Sequence, residues 1–301
     1  MIKDIFKPIS IETEQLNDHI SDYIFNCNGK SSQTIKTYER TLKEFSEYHR
    51  RQKNFTFVVS DIQKYKNYLK YKRRMQDHSL VTYLSSLRRF LSFLVDNNVL
   101  DKNPAKRIQV KLKDNTNGLS FLRKSEIDKL FNDIGSDNIT DRRDNAIICL
   151  IIHSALSLRE IRALNKNDIV PRKRAWQVIL KNSPDERIFL NPETKKAVES
   201  YINSVTQFNG AEDTPLFLSN SNRSKNQRMS IRGLRETIKQ RLLSCGVRRK
   251  GLRLSHYSLH NSAAIRMAAN GKSAKDIQRR FKLKLLKTAE KYGDYVREYR
   301  L

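Results

Sequence analysis

The chain has 301 residues, 38% of them hydrophobic and 30% charged, which is enough apolar material for real cores under a solvated surface and, by length, for two domains rather than one. Lys and Arg number 59 against 32 Asp and Glu, a formal charge of +27; that excess points to a polyanionic partner, most often nucleic acid. With only 9 Gly and 6 Pro, the chain is too turn-poor for a many-stranded sandwich or barrel, so a mainly helical fold is expected.

The N-terminal segment MIKDIFKPISIETEQ lacks the apolar core of a signal peptide. Ile35, Tyr38, Leu42, Phe45 and Tyr48 then recur at helical spacing, with Ser31 or Ser32 placed to cap the helix. A second helix carries Ile62, Tyr65, Tyr68 and Leu69. A third, from about Leu80 to Val95, turns Tyr83, Leu84, Leu87, Phe90, Leu91 and Leu94 inward and ends at Asn97-Asn98. Asn103-Pro104 reads as a turn, and KRIQVKLKDNTNG, residues 106–118, is basic and without a core face, hence a linker.

Beyond it the pattern predicts a helix from Lys124 to Ile134, an apolar helix around Ala146 to Ala155, and a short one with Ile161 and Leu164. The stretch Ala146 to Leu158 is too short to span a bilayer and reads as a buried helix. Trp176–Leu180 and Arg187–Leu190 are the convincing strands, and Asn182-Ser183-Pro184-Asp185 between them makes a hairpin. From Asn191 onward the chain reads as helical apart from a loop at Phe208–Gln227, and residues 221–301 carry 22 Lys/Arg against 5 Asp/Glu. Cys27, Cys149 and Cys245 are scattered without metal-ligand spacing. They fit a reducing compartment, with no zinc or other metal site expected. A cytoplasmic, nucleoid-associated protein is expected.

At this point the sequence resembles the tyrosine recombinases, the phage-integrase and Xer-like enzymes, over nearly its whole length. TIKTYERTLKEF and LVTYLSSLRRFLSFLVDNNVLDKNPA are similar to that family's core-binding helices. FLRKSEIDKLF, RDNAIICLIIHSALSLREIRALNKNDI, VILKN and GKSAKDIQRRFKLKLLKTAEKYGDY resemble its catalytic domain, in the same order. The resemblance implies a two-domain DNA clamp: a helical SAM-like core-binding domain over 1–105, the linker at 106–118, and a mixed α/β, mostly helical catalytic domain over 119–301. It also implies cofactor-free and metal-free chemistry on duplex DNA. A tyrosine attacks the scissile phosphate to form a 3′-phosphotyrosine, arginines and histidines stabilise the phosphorane, and a hairpin lysine protonates the leaving oxygen.

Carried over by position, the tyrosine falls on Tyr292 in TAEKY and the lysine on Lys181 at the end of the first hairpin strand. The first arginine position holds Ser157, within ALSLREI, where the serine is also placed to cap the helix that follows. In the box that usually reads His-x-Leu-Arg-His, Tyr257 replaces the leading histidine, His260 the arginine and Asn261 the trailing histidine; Leu283 stands at the later His/Trp position. Only the tyrosine and the lysine survive. Since one oxyanion donor is typically worth ~10²–10³ in rate, losing both arginines should cost on the order of 10⁴ or more.

The expected function is therefore duplex-DNA binding with impaired cleavage, as an accessory or regulatory factor at the recombination sites of a mobile element. A related active recombinase or a second copy of the chain would be its protein partner, and no membrane is involved. The alternative is an active recombinase using Tyr292, with Arg159, Arg162 or His256 as substitute donors; a general RNA-binding role is a third reading. Lys36, Arg40, Arg88 and Arg89 in the first domain, and Lys181, Arg187, Arg228 and Arg232 in the second, are the candidate DNA contacts.

Overall fold

The computed structural model describes residues 9–110, 119–172, 175–181, 183–206, 214–247 and 254–299, and the chain divides into two units, residues 1–115 and 116–301. The first unit contains α1 (Thr13–Phe25), α2 (Ser32–Arg50), α3 (Val59–Asn67) continuing into a π-helical turn at Tyr68–Lys72, and α4 (Asp77–Asp96). Ser31 caps α2 by accepting from the Thr34 N–H at 3.2 Å. The inward stripes meet around Leu16, Leu42, Phe45, Ile62, Tyr65, Leu84 and Phe90, all at most 1% exposed. Phe45 packs edge-on against Phe55 and Tyr65, with ring centroids 5.7 and 5.1 Å apart, a favourable orientation of aromatic quadrupoles.

The expected linker begins later than residue 106. Ala105 and Ile108 are buried in the first core, and the Arg88 guanidinium donates to their carbonyls at 3.2 and 2.8 Å. Asn103 ties the same segment to α4 through the Arg88 carbonyl and the Ser92 hydroxyl, both at 2.8 Å. Residues 111–118 of the linker lie outside the described residues.

The end of α4 carries the expected Asn stop. Asn98 is exposed with φ +58°, and the Val99 N–H returns to the Leu94 carbonyl at 2.8 Å, the six-to-one bond of a left-handed helix cap. Because a β-branched residue is strained there, Asn98→Val should lower stability by about 1–2 kcal/mol, whereas Asn98→Gly should leave it unchanged or slightly raised. Thermal melting of the two variants checks the contrast.

In the second unit α5 (Lys124–Asp133) and α6 (Ile139–Ile152) precede α7 (Leu158–Ala163). A three-stranded antiparallel sheet in the order β1 (Ile169–Val170), β2 (Gln177–Leu180), β3 (Ser183–Phe189) follows. Then come α8 (Pro192–Ser204), α9 (Ile231–Ser244), α10 (His256–Ala269), α11 (Ala274–Arg280) and α12 (Leu286–Tyr299). Three details differ from the sequence expectation. The β2–β3 hairpin is tight, with Leu180 opposite Ser183, so Ser183 and Asp185 belong to β3 rather than to the turn; β1 adds a third strand. Asn182, and residues 208–213 of the expected loop, lie outside the described residues. The apolar helix starts at Ile139 and ends at Ile152, ahead of Ala155, whose φ is +54°.

Every residue from Ala146 to Ile152 is buried, making α6 the axis of the larger core, with α8 and α9 packed on it. A smaller core joins α10, α11 and α12 through Ala264, Ile265, Ile277, Ala289 and Tyr292, with Phe121 packed among them. No described helix is long and apolar enough to cross a membrane.

Candidate functional site

Where α6 ends, Ala155 turns the chain in the left-handed region and Ser157 starts α7. The Ser157 hydroxyl accepts from the Glu160 N–H at 3.3 Å, and the Glu160 carboxylate accepts from the Ser157 N–H at 2.7 Å, a reciprocal capping box. A serine at this position therefore serves the helix start.

Ser157, His260 and Lys181, three of the positions singled out above, line one cleft of about 220 Å³. Arg159 and Leu180 also contribute walls, and Arg280, Phe281 and Lys282 enter from the end of α11. Arg280 is nine-tenths buried. Its Nε donates to the Ser154 carbonyl at 3.1 Å, and Nη1 pairs with Glu160 at 3.3 Å and with Glu186 on β3 at 3.4 Å. Lys282, with φ +50°, adds a second cation to Glu160 at 3.1 Å. Burial raises the Glu160 pKa, but Arg280, the Ser157 N–H and Lys282 outweigh it, and the carboxyl sits below its ordinary value.

The His260 imidazole lies against Phe281, ring centroids 4.4 Å apart. Burial and then Arg280 push its pKa down to about 4, against the opposing pull of Glu160 and the Ala155 backbone. The ring is neutral near pH 7. Among the described residues its buried Nε2 has no hydrogen-bond partner, and neither has the buried Nη2 of Arg280.

Tyr292 is not among the residues lining this cleft. It is 8% exposed on α12, and its hydroxyl donates to Asn261 Oδ1 at 3.1 Å while Asn261 Nδ2 donates to the Ser120 carbonyl at 2.8 Å. Phe281 touches both sides, its ring 4.4 Å from His260 and 6.3 Å from Tyr292. Burial raises the Tyr292 pKa, the opposite of what a phenolate nucleophile requires. Leu283 packs into the small α10–α12 core. Tyr257 is 64% exposed and its ring lies 4.1 Å from that of His256.

Of the candidate DNA contacts, Lys36, Arg40, Arg89, Lys181, Arg187 and Arg232 are exposed. Arg40 sits over the Tyr83 ring at 5.9 Å. Two others are engaged within the fold. Arg88 holds the 105–108 segment as described above. Arg228 donates to the carbonyls of Arg162 and Leu164 at 2.8 and 2.9 Å and also bonds Asn165. A guanidinium that turns outward would leave the carbonyls of the buried Ala105, Ile108 and Leu164 unsatisfied, so these two read as structural ties. The sequence reading missed Arg280 and Lys282. A signal was present: Arg280 falls three residues after the buried Ile277 and therefore on the same inward face of α11, an unusual place for a lone cation.

The profile of the phage integrase family matches residues 120–296, and that of the phage integrase N-terminal SAM-like domain matches residues 21–98. The tyrosine recombinase XerC of Mannheimia succiniciproducens is 27% identical over 228 residues, 73% of this chain and 76% of that protein. XerC of Thermodesulfovibrio yellowstonii is 25% identical over 263 residues, 83% and 81% of the two chains. Among solved structures, the XerH site-specific recombinase bound to a palindromic difH substrate superposes with a TM-score of 0.72 at 16% identity, covering 95% of this chain and 82% of that one. Lambda integrase bound to a core site gives 0.68 at 15% identity, covering 92% and 94%. These structures share the fold. With both profiles matching in order and relatives spanning most of its length, the chain belongs to the phage integrase, or tyrosine recombinase, family.

Proposed function

We propose that this chain binds duplex DNA at recombination sites and has lost most or all strand-cleaving activity, acting beside an active recombinase or on DNA as more than one copy. The observation that carries the reading is the composition of the cleft. Neutral Ser157 and a neutral His260 occupy the two positions where the family resemblance expects arginines, and neither supplies the bidentate, permanently charged fork that a phosphorane needs. The hydroxyl of Tyr292 is held by Asn261 outside that cleft. The relatives named for recombination, together with a net charge of +27, support DNA as the partner.

Residual cleavage is the second reading, favoured by Lys181 and Arg159 on the cleft wall and by the retained Tyr292. Trapping on nicked duplexes from the chain's own genetic neighbourhood separates the two. The expected result is salt-sensitive retention of particular fragments with no covalent adduct under denaturing conditions. An adduct that disappears in Tyr292→Phe establishes cleavage and overturns the impaired reading.

A further inference from the structure

We propose that Arg280 is the residue with which this cleft holds a backbone phosphate of duplex DNA, its guanidinium entering from α11 in place of the side chains absent at Ser157 and His260. The inference rests on the reading that the chain binds duplex DNA. Family resemblance assigns no role to this position.

Arg280 is nine-tenths buried, and its inner nitrogens are fully engaged, Nε on the Ser154 carbonyl and Nη1 on Glu160 and Glu186. Those bonds fix the plane of the guanidinium and leave Nη2 with no acceptor. A buried charged donor without an acceptor is costly, and a fold that needed only to neutralise two carboxylates would have no use for it. Arg159, Arg280 and Lys282 line the cleft together with Glu160, and Glu186 reaches Arg280, so among the described residues these three cations face two carboxylates and the cleft retains an excess of positive charge. An acceptor-only anion fits it, and a phosphodiester is the acceptor-only anion of duplex DNA. A single fixed guanidinium can hold such a group. It does not supply the several donors that cleavage needs.

The test uses the full chain and a fluorescent mixed-sequence 40-base-pair duplex, with affinity measured across a KCl series for wild type, Arg280→Gln and Arg280→Lys. Loss of one phosphate contact should reduce the slope of log K against log salt by about 0.9 and weaken binding about 3–10-fold at moderate salt. Arg280→Lys keeps the charge on both glutamates and should keep the slope while binding more weakly. An Arg280→Gln slope equal to that of wild type, or tighter binding, overturns the proposal and makes Arg280 a plug of the cleft. If Arg280→Gln does not fold, the wild type still decides. The Arg280 Nε–H resonance, identified by its absence in Arg280→Lys, should shift on addition of duplex, and no shift overturns the proposal. A wild type that does not bind duplex at all overturns the DNA reading itself, whereas binding with an Arg280-independent slope overturns this inference alone.

Discussion

Asp144→Ala should destabilise the second unit by about 3–5 kcal/mol, the range for removing one partner of a buried ion pair, and lower its melting temperature by roughly 6–20 °C. Asp144 lies near the start of α6 with its side chain 5% exposed. It accepts from Arg143 Nε and Nη2 at 3.0 and 2.8 Å and from Arg241 of α9 at 2.8 Å. Arg143 is itself buried and reaches on to the Leu218 carbonyl at 3.0 Å, while the Leu218 N–H donates to the Tyr201 hydroxyl of α8 at 3.2 Å. One carboxylate therefore neutralises a buried guanidinium and joins α6, α9 and the strand-like segment before α9. Truncation leaves Arg143 buried and unpaired, the expensive case. Asp141→Ala is the control. Asp141 is 18% exposed and also pairs with Arg241, which would keep Asp144, so about 1 kcal/mol is expected. Urea unfolding of both variants measures the gap; equal losses would mean that the network is not organised around Asp144.

The same network explains why part of the fold was illegible in the sequence. The apolar run from Ala146 is plain, but the helix begins at Ile139, capped by Asn138. Its first turns carry Asp141, Arg142, Arg143 and Asp144, residues that read as solvated surface until Arg241 of α9 is placed against the two aspartates and the Leu218 carbonyl against Arg143. The first helix, α1, was missed for a related reason. Leu16 and Tyr23 are buried, but they are spaced thinly through a polar segment whose N-cap, Glu12, makes no side-chain cap bond. By contrast α2 and α4 were legible, since dense apolar stripes and terminal Ser31 or Asn98 signals agree with one another. In the site, motif order was enough to bring Ser157, Lys181 and His260 to one place. It said nothing of Arg280, because a motif names positions that relatives use, and this cleft takes its buried guanidinium from another helix.

Glu160 should give the second large effect, and one that separates its two roles. As the third residue of a capping box it accepts from the Ser157 N–H, and as a buried anion it pairs with Arg280 and Lys282. Glutamine can keep the box, since its amide oxygen also accepts, but it removes the charge. Glu160→Gln should therefore cost about 3 kcal/mol at pH 7, from a buried Arg280 left with Glu186 alone. Glu160→Ala should cost about 1 kcal/mol more, the usual worth of a cap bond. The pH dependence has a definite sign. The folded-state pKa of Glu160 lies below the ordinary 4.5, so the unfolded chain takes up the proton first. The stability contributed by the carboxylate is fully present above the unfolded value and is lost as pH falls through the lower folded one. Wild type and Glu160→Gln should thus differ most near neutrality and converge below about pH 4.5, while the further deficit of Glu160→Ala persists in acid because the cap bond does not depend on ionisation. Parallel curves for wild type and Glu160→Gln down to pH 3 would mean that Arg280 is neutralised by Glu186, and that Glu160 is held in the cleft only as a cap.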